Sequence, residues 1–91
     1  MVEQYIRTNR SNKKLKENIF YAVKGTAPYV LSRMGLPTNE EDLLQESYKI
    51  IWDLIDSYDP TKKTKFTTYI ITYLFFNMKK FLRANSWFLH T

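Results

Sequence analysis

Five side chains between residues 69 and 83 have the types and the spacing of a nucleic-acid interface. Tyr69, Tyr73 and Phe76 are followed by Lys80 and Arg83, at successive steps of four, three, four and three residues. On an α-helix these steps place the side chains on one face, so that three rings are followed by two cations. Aromatic rings stack on unpaired bases, and lysine and arginine pair with phosphates. The pattern therefore predicts a surface that holds single-stranded nucleic acid.

Further basic residues precede this stretch, since Lys62, Lys63 and Lys65 lie in the charged loop "DSYDPTKKTK". The alternative is that the rings are core residues, which is the commoner role of aromatic residues at helical spacing. However, the other side of the same helix already supplies an apolar face, made of Ile70, Ile71, Leu74, Met78, Phe81 and Leu82. A helix that is apolar all round needs central burial, for which a chain of 91 residues has little room. Some of the rings are therefore expected to reach solvent or a partner.

A second charged surface is predicted on the preceding helix, at about residues 39–57. Its core stripe is Leu44, Tyr48, Ile51, Ile55 and Tyr58, and its polar stripe is Asp42, Glu46, Lys49, Asp53 and Asp56, with Gln45 beside it. Acids in the first turn are explained by the helix dipole, but the acids further along are not. Residues 38–59 contain seven acids and one lysine, whereas residues 60–91 contain six Lys/Arg and no acid. This separation favours two different partners, with solvated faces as the alternative.

The remaining elements are also helical. Apolar spacing predicts a helix from Asn12 to about Met34 that is interrupted near "GTAP", and Gly35 suits a helix C-terminus. Thr38 and Glu41 have the spacing of a capping box for the acidic helix, and Thr67 or Thr68 is expected to cap the basic helix. We predict an all-α fold, a compact bundle of three to four helices in one domain over residues 1–91.

Several classes of protein are disfavoured by the composition. The chain has no cysteine, so neither a disulfide framework nor a thiolate zinc site is expected, and a cytoplasmic location fits. No apolar run approaches the roughly 20 residues needed to span a bilayer. No paired histidine and carboxylate, glycine-rich phosphate loop or metal-ligand cluster is present, so neither an enzyme nor a cofactor is expected. His90, the single histidine, is expected to be exposed.

The segment from "DLLQE" to "KFTTY" resembles region 2 of bacterial RNA polymerase sigma factors. "DLLQE" (residues 42–46), "DP" (59–60) and "KFTTY" (65–69) occur in register, at the spacing of that family. The stretch "YVLSRMGLPTNEEDLLQE" is similar to the connection that precedes it, and the resemblance covers about residues 13–86. It implies a transcription initiation factor with a sigma region 2-like helical bundle, associated with the nucleoid through polymerase.

The resemblance also implies two sites. The positions that dock on the clamp helices of the polymerase β′ subunit correspond to Asp42, Gln45 and Glu46, with Tyr48 and Trp52 nearby. The positions that melt the −10 promoter element and hold its non-template strand correspond to Lys65, Phe66, Thr68, Tyr69, Thr72 and Tyr73, followed by Phe76, Lys79 and Lys80 at its upstream edge. Lys62, Lys63 and Arg83 extend the basic surface. Melting of this kind makes or breaks no covalent bond.

This sequence departs from the family pattern at informative positions. The tryptophan pair of the family is Thr72-Tyr73 here, the Arg-Gln pair is Phe75-Phe76, and the usual glycine before "KF" is Lys63. The resemblance is therefore to an alternative, phage-type or otherwise divergent sigma factor with its own promoter sequence. The helix-turn-helix domain that binds the −35 element is not expected in this chain. Both a fragment and a natural small subunit, whose partner supplies −35 recognition, fit the sequence, and an anti-sigma regulator is a further candidate partner.

Two other functions are compatible with the residues. A small co-sigma or interaction subunit would bind polymerase or a sigma partner through the acidic helix without reading DNA itself. A helix on an anionic membrane would use Phe76, Phe81, Trp87 and Phe88 with the lysines, but it leaves "DLLQE" unexplained, so no membrane partner is expected.

Overall fold

The chain folds into five α-helices and one short 3-10 helix in a computed structural model, which describes residues 2–7 and 12–85. The α-helices are α1 (Val2–Arg7), α2 (Lys13–Val23), α3 (Thr26–Arg33), α4 (Glu41–Ser57) and α5 (Phe66–Ala84), and the 3-10 helix spans Pro60–Lys62. The described residues contain no strand, which confirms the all-α prediction. Helices α2 to α5 are those that the sequence predicts, and α1 is additional. Trp87, Phe88 and His90 lie outside the described residues.

The predicted break in the first long helix is confirmed. Asn12 caps α2 because its Oδ1 accepts a hydrogen bond from the Leu15 backbone nitrogen at 3.0 Å. Lys24 and Gly25 form the turn between α2 and α3. Pro28 lies in the first turn of α3. Backbone N–H groups in the first turn make no hydrogen bond within the helix, so proline is tolerated there. The turn thus lets α3 pack across α4 and α5.

The connection from α3 to α4 matches one prediction and contradicts another. Gly35 has a φ of 74°, and the Leu36 backbone nitrogen donates to the Leu31 carbonyl at 2.9 Å, so α3 ends in the predicted glycine turn. The prediction that Thr38 and Glu41 form a capping box is wrong. Helix α4 begins at Glu41 with Glu40 as its N-cap, and no side chain caps it, because Thr38 lies two residues too early.

The core is formed by α4 and α5 together with buried residues of α1, α2 and α3. Helix α5 buries Ile70, Leu74, Met78 and Leu82, while Ile71 and Phe81 are half-buried at its edges. Helix α4 buries Leu43, Ser47, Ile51, Leu54 and Ile55. The predicted core stripe of α4 is therefore correct at Ile51 and Ile55 but displaced elsewhere: Leu44, Tyr48 and Tyr58 are half-buried, and the buried line runs through Ser47.

Ser47 explains this displacement. Its hydroxyl donates to the Leu43 carbonyl at 2.8 Å, so the buried polar group is satisfied within its own helix. Its small side chain lies 3.5 Å from the Met78 sulfur, which fills the space at this crossing of α4 and α5. A hydrophobicity pattern cannot predict a serine at the centre of a core. The predicted caps of α5 are also wrong, since the helix begins at Phe66 with Lys65 as its N-cap.

Helix α1 is attached to α2 and α4 by Tyr5. The Tyr5 ring is buried, and its hydroxyl donates a hydrogen bond to Asp56 Oδ1. The other Asp56 oxygen forms an ion pair with Lys16 Nζ at 2.6 Å. The sequence assigns Asp56 to the outward acidic stripe, whereas in the structure its carboxylate ties α1 and α2 to α4.

Candidate nucleic-acid interface and acidic face

The outward side of α5 carries the predicted rings and cations. Ile70, Leu74, Met78 and Leu82 bury one side of this helix, so the residues on the opposite side must face solvent. Tyr73 is 46% exposed and Phe76 is 52% exposed, while Tyr69 is half-buried. The expectation that some rings reach solvent is confirmed for Tyr73 and Phe76. These two side chains can offer ring faces to a ligand without unfolding anything.

The rings of this surface contact one another in a continuous series, here called the ring row. Its members are Tyr58, Tyr69, Tyr73, Phe76 and Phe75, and the successive centroid distances are 5.3, 4.7, 6.4 and 6.0 Å. Most of these contacts are edge-to-face, the arrangement that aromatic pairs prefer. Because each ring restricts its neighbour, the row is largely ordered before a ligand arrives, which lowers the entropic cost of binding.

The loop before α5 positions both Tyr58 and three lysines. The Tyr58 hydroxyl donates to the Thr64 carbonyl at 2.7 Å, and its ring centroid is 5.0 Å from that of Phe66. Asp59 Oδ1 accepts hydrogen bonds from the Thr61 nitrogen and hydroxyl, at 2.9 and 2.6 Å. The loop therefore has a fixed path, and the lysines on it, Lys62, Lys63 and Lys65, are all exposed.

Lys63 adopts an unusual backbone conformation in this loop. Its φ is 60°, in the left-handed region that favours glycine. This is the position at which the family resemblance expects a glycine. A lysine occupies this left-handed turn, so the departure from the family pattern adds a positive charge to the loop.

Two of the open clefts along the ring row are lined by both tyrosine rings and basic side chains. The first, at its N-terminal end, is lined by Tyr58, Tyr69 and Tyr73 together with Lys62 and Thr64 from the loop, and with Ser57 and Asp59. The second is here called the cation cleft, and it is lined by Tyr73, Phe76, Asn77, Lys79, Lys80 and Arg83. The predicted succession of rings and cations is thus present on one surface. Sequence reasoning missed Tyr58 and Thr64, which only the folded loop brings beside Tyr69.

The phenol of Tyr69, on this surface, has a perturbed pKa. Burial raises the pKa of Tyr69 and the neighbouring Tyr73 adds to this increase, while a hydrogen bond with Ser57 opposes it. The phenol is therefore a neutral hydrogen-bonding group at neutral pH.

The other predicted DNA-binding residues are less uniform. Thr68 and Thr72 are exposed on α5, but Phe66 is half-buried against Tyr58 and helps to hold the loop. Lys79 is exposed, with its Nζ 5.3 Å from the centroid of the Phe75 ring. Phe66 thus packs against Tyr58, whereas the threonines and Lys79 are accessible to a ligand.

The acidic face of α4 consists of Asp42, Gln45 and Glu46. These residues line an open cleft with Glu41, Leu43, Lys49, Phe81 and Asn85. Asp42 and Gln45 are exposed and Glu46 is half-buried. Neither carboxylate is ion-paired or hydrogen-bonded to another residue in the part of the chain that the structure describes. The cleft has three carboxylates and one lysine, so its net negative charge is available to a basic partner.

Tyr48 and Trp52 lie on the neighbouring edge of α4, against α2. Each ring centroid is 5.8 Å from that of Phe20, and Lys16 Nζ is 4.2 Å from the centroid of the Trp52 ring. Gln45, Tyr48 and Trp52 follow one another at helical steps of three and four, so Gln45 joins the two groups. The predicted docking set thus comprises an open acidic part and a packed aromatic part.

Two further properties bear on the class of function. Within residues 2–7 and 12–85, no cluster of histidine, cysteine, aspartate or glutamate is arranged to hold a metal ion. None of the helices described is both long and apolar enough to cross a membrane.

Residues 27–88, about two thirds of the chain, match the family model described as Sigma-70 region 2. The match covers α3, α4 and α5, the helices that carry the acidic face and the ring row, and it begins later than the predicted start near residue 13. No curated protein matches the chain significantly, and neither does any solved structure.

Proposed function

Because this chain belongs to the sigma-70 region 2 family, whose non-catalytic domain acts in transcription initiation, we propose a specific role for each of its two surfaces. The acidic face of α4 binds the clamp helices of the core RNA polymerase β′ subunit. The ring row and cation cleft of α5 capture the unpaired non-template strand of a −10 promoter element. The observation that carries this proposal is the ordered ring row, with exposed cations at both ends and half-exposed rings between them.

The energies of stacking support capture of a strand that is already unpaired. Each base that stacks on a protein ring gains about 1–3 kcal/mol, so Tyr73 and Phe76 together contribute roughly 2–6 kcal/mol. Each base-pair step of the duplex costs about 1.4 kcal/mol to open. The two rings therefore offset only a few steps, and stable melting needs the polymerase as well. Phosphate contacts by Lys62, Lys80 and Arg83 add a salt-dependent contribution to the free energy of DNA binding.

The test measures binding of single-stranded DNA by the protein in complex with core RNA polymerase, with polymerase alone as the blank. A random-sequence oligonucleotide suffices because stacking tolerates any base. Tyr73→Ala is expected to weaken binding about 10-fold, the loss of one stacked base. Tyr21→Ala is the matched control, since Tyr21 is 65% exposed on α2 with Lys24 Nζ 5.3 Å from its ring centroid. Equal binding by Tyr73→Ala and wild type would contradict the proposal.

One observation favours a second candidate, an interaction subunit that binds polymerase or a sigma partner without reading DNA. Phe75 and Phe76 replace the Arg-Gln pair of the family pattern, and their rings have no hydrogen-bonding group with which to read a base edge. The same experiment distinguishes the two candidates. An interaction subunit would bind polymerase but would not increase capture of single-stranded DNA above the blank.

A further inference from the structure

A groove between α3 and α5 lies beside the proposed DNA-binding surface. Tyr29 and Arg33 from α3 line it, together with Thr72, Phe75 and Phe76 from α5, and buried Val30 contributes to its wall. Its volume is about 410 Å³, within the range of about 300–1,000 Å³ that is typical of ligand sites. Neither Tyr29 nor Arg33 belongs to a site predicted from the sequence.

The two half-exposed rings of this groove are available to a ligand. Tyr29 and Phe76 are each 52% exposed, although aromatic side chains contribute most to stability when they are buried. They belong to different helices and line the same groove, and they are not in ring contact with each other. A flat aromatic ligand can therefore stack on either ring without displacing a packed side chain.

The charge of the groove selects an anionic ligand. Arg33 is exposed in the last turn of α3, and no aspartate or glutamate is among the residues that line the groove. Arg33 has no ion pair or side-chain hydrogen bond with another residue in the described ranges. An arginine beside exposed rings matches the phosphate and the base of a nucleotide, because guanidinium pairs with phosphate oxygens in a planar, two-pronged contact.

The groove is continuous with the ring row through Phe76. That ring lines both the groove and the cation cleft, and its centroid is 6.4 Å from that of Tyr73. A strand that leaves Tyr73 can therefore pass over Phe76 and continue from α5 towards α3. Thr72 and Tyr29 supply the hydroxyl groups with which the groove can hydrogen-bond a base.

We infer that the α3–α5 groove is a second nucleotide-binding subsite, which takes an unpaired base against Tyr29 and Phe76 and its phosphate at Arg33. This subsite rests on the proposed DNA-capturing function and extends its interface from one helix to two. Its occupant is the strand already captured on the ring row, one or more nucleotides further along. Charge complementarity and the shared Phe76 favour this strand over an apolar segment of a protein partner.

The test uses the polymerase complex and single-stranded oligonucleotides that carry 2-aminopurine at successive positions. Stacking quenches this base, so a position in the groove is quenched in the wild type and recovers its fluorescence in Tyr29→Ala. Tyr29→Ala is expected to weaken binding about 10-fold, and Tyr29→Phe, which keeps the ring, is expected to retain most of the affinity. Arg33→Gln is expected to reduce the slope of log affinity against log salt by about 1.

The outcomes separate this subsite from the function on which it depends. The subsite would be overturned if Tyr29→Ala and Arg33→Gln both bind and quench as the wild type does. If Tyr73→Ala still weakens binding in that case, the proposed function stays intact. Unchanged binding in Tyr73→Ala as well would overturn the function itself. Loss of polymerase binding in Tyr29→Ala without DNA would make the groove a protein contact and would also overturn the subsite. If Tyr29→Ala fails to fold, Arg33→Gln decides, because Arg33 is exposed and an unchanged salt dependence in that variant would overturn the subsite.

Discussion

The acidic face of α4 and the ring row of α5 are built on the same core but differ in how they are ordered. The carboxylates of Asp42 and Glu46 form no ion pair or hydrogen bond with another described residue. In the ring row, each ring contacts the next at centroid distances of 4.7 to 6.4 Å. A charged surface acts at a distance and depends on salt, whereas a surface of packed rings acts on contact. The chain thus combines a surface suited to association with one suited to capture.

The largest expected effect comes from a change that breaks both surfaces together. Leu74 is buried where α5 packs on α4, so Leu74→Ala leaves a cavity beneath both. The free energy of unfolding is expected to fall by about 2–5 kcal/mol, measured by urea denaturation. Ile71→Ala, at a half-buried position on the same helix, is the control and should cost less. A similar loss in both variants would contradict the assignment of the core.

A charge reversal should break the acidic face alone. Glu46→Lys is expected to weaken binding to core RNA polymerase by roughly 100-fold, because it replaces an attraction by a repulsion. The weakening should be greater at low salt than at high salt. Glu17→Lys makes the same change of charge on α2 and is expected to bind as wild type does. Equal effects of the two substitutions would show that net charge, and not this face, controls association.

The loop before α5 offers a sharper comparison between two neighbouring lysines. Lys63→Gly removes the strain of a lysine in the left-handed region, which should raise the free energy of unfolding by about 1–2 kcal/mol. The greater freedom of glycine in the unfolded chain should lower it by about 0.5–1 kcal/mol. A net stabilisation of about 0–1.5 kcal/mol is therefore expected. Lys62 lies in the 3-10 helix, so Lys62→Gly is expected to lower the free energy of unfolding instead. Thermal unfolding measures both changes, and stabilisation by Lys62→Gly would contradict the reasoning.

The smallest effect concerns the pKa of Tyr69. Because burial raises this pKa in the folded state, the folded protein holds the phenol proton more tightly than the unfolded chain does. The resulting stabilisation is complete below the unfolded pKa of about 10 and is lost as the pH rises through the folded pKa. Wild type should therefore lose stability relative to Tyr69→Phe above about pH 10. A constant difference between the two proteins from pH 8 to pH 11 would contradict this expectation.

The sequence predicts α5 better than any other element, and the reason is physical. Its buried residues recur at regular steps of four, and its aromatic and basic residues fill the remaining positions, so both sides of the helix are specified. In α4 the buried line passes through Ser47, a residue that hydrophobicity assigns to the surface. The predicted core stripe of that helix is therefore correct only at Ile51 and Ile55, although the acidic residues around Asp42 and Glu46 lie outside the core as predicted.

Contacts between helices account for the rest of what sequence reasoning missed. The sequence places Asp56 on the outward acidic stripe, because nothing local indicates Tyr5 and Lys16 as its partners. The α3–α5 groove depends on Tyr29 and Phe76 lining one space, although they are distant in the sequence. Periodicity describes one helix at a time, so it identifies the faces of each helix but not which faces adjoin.

The six-residue helix α1 owes its existence to its neighbours, since a helix of this length is not stable in water by itself. The buried Tyr5 ring and its hydrogen bond to Asp56 supply the missing free energy. Its backbone amides should therefore exchange with solvent through local detachment, while those of α4 and α5 exchange only when the whole domain opens. Asp56 lies one helical turn beyond Trp52, at the edge of the proposed docking surface. Amide protection in α1 therefore reports on the α2–α4 side of the molecule, where a bound polymerase would alter it.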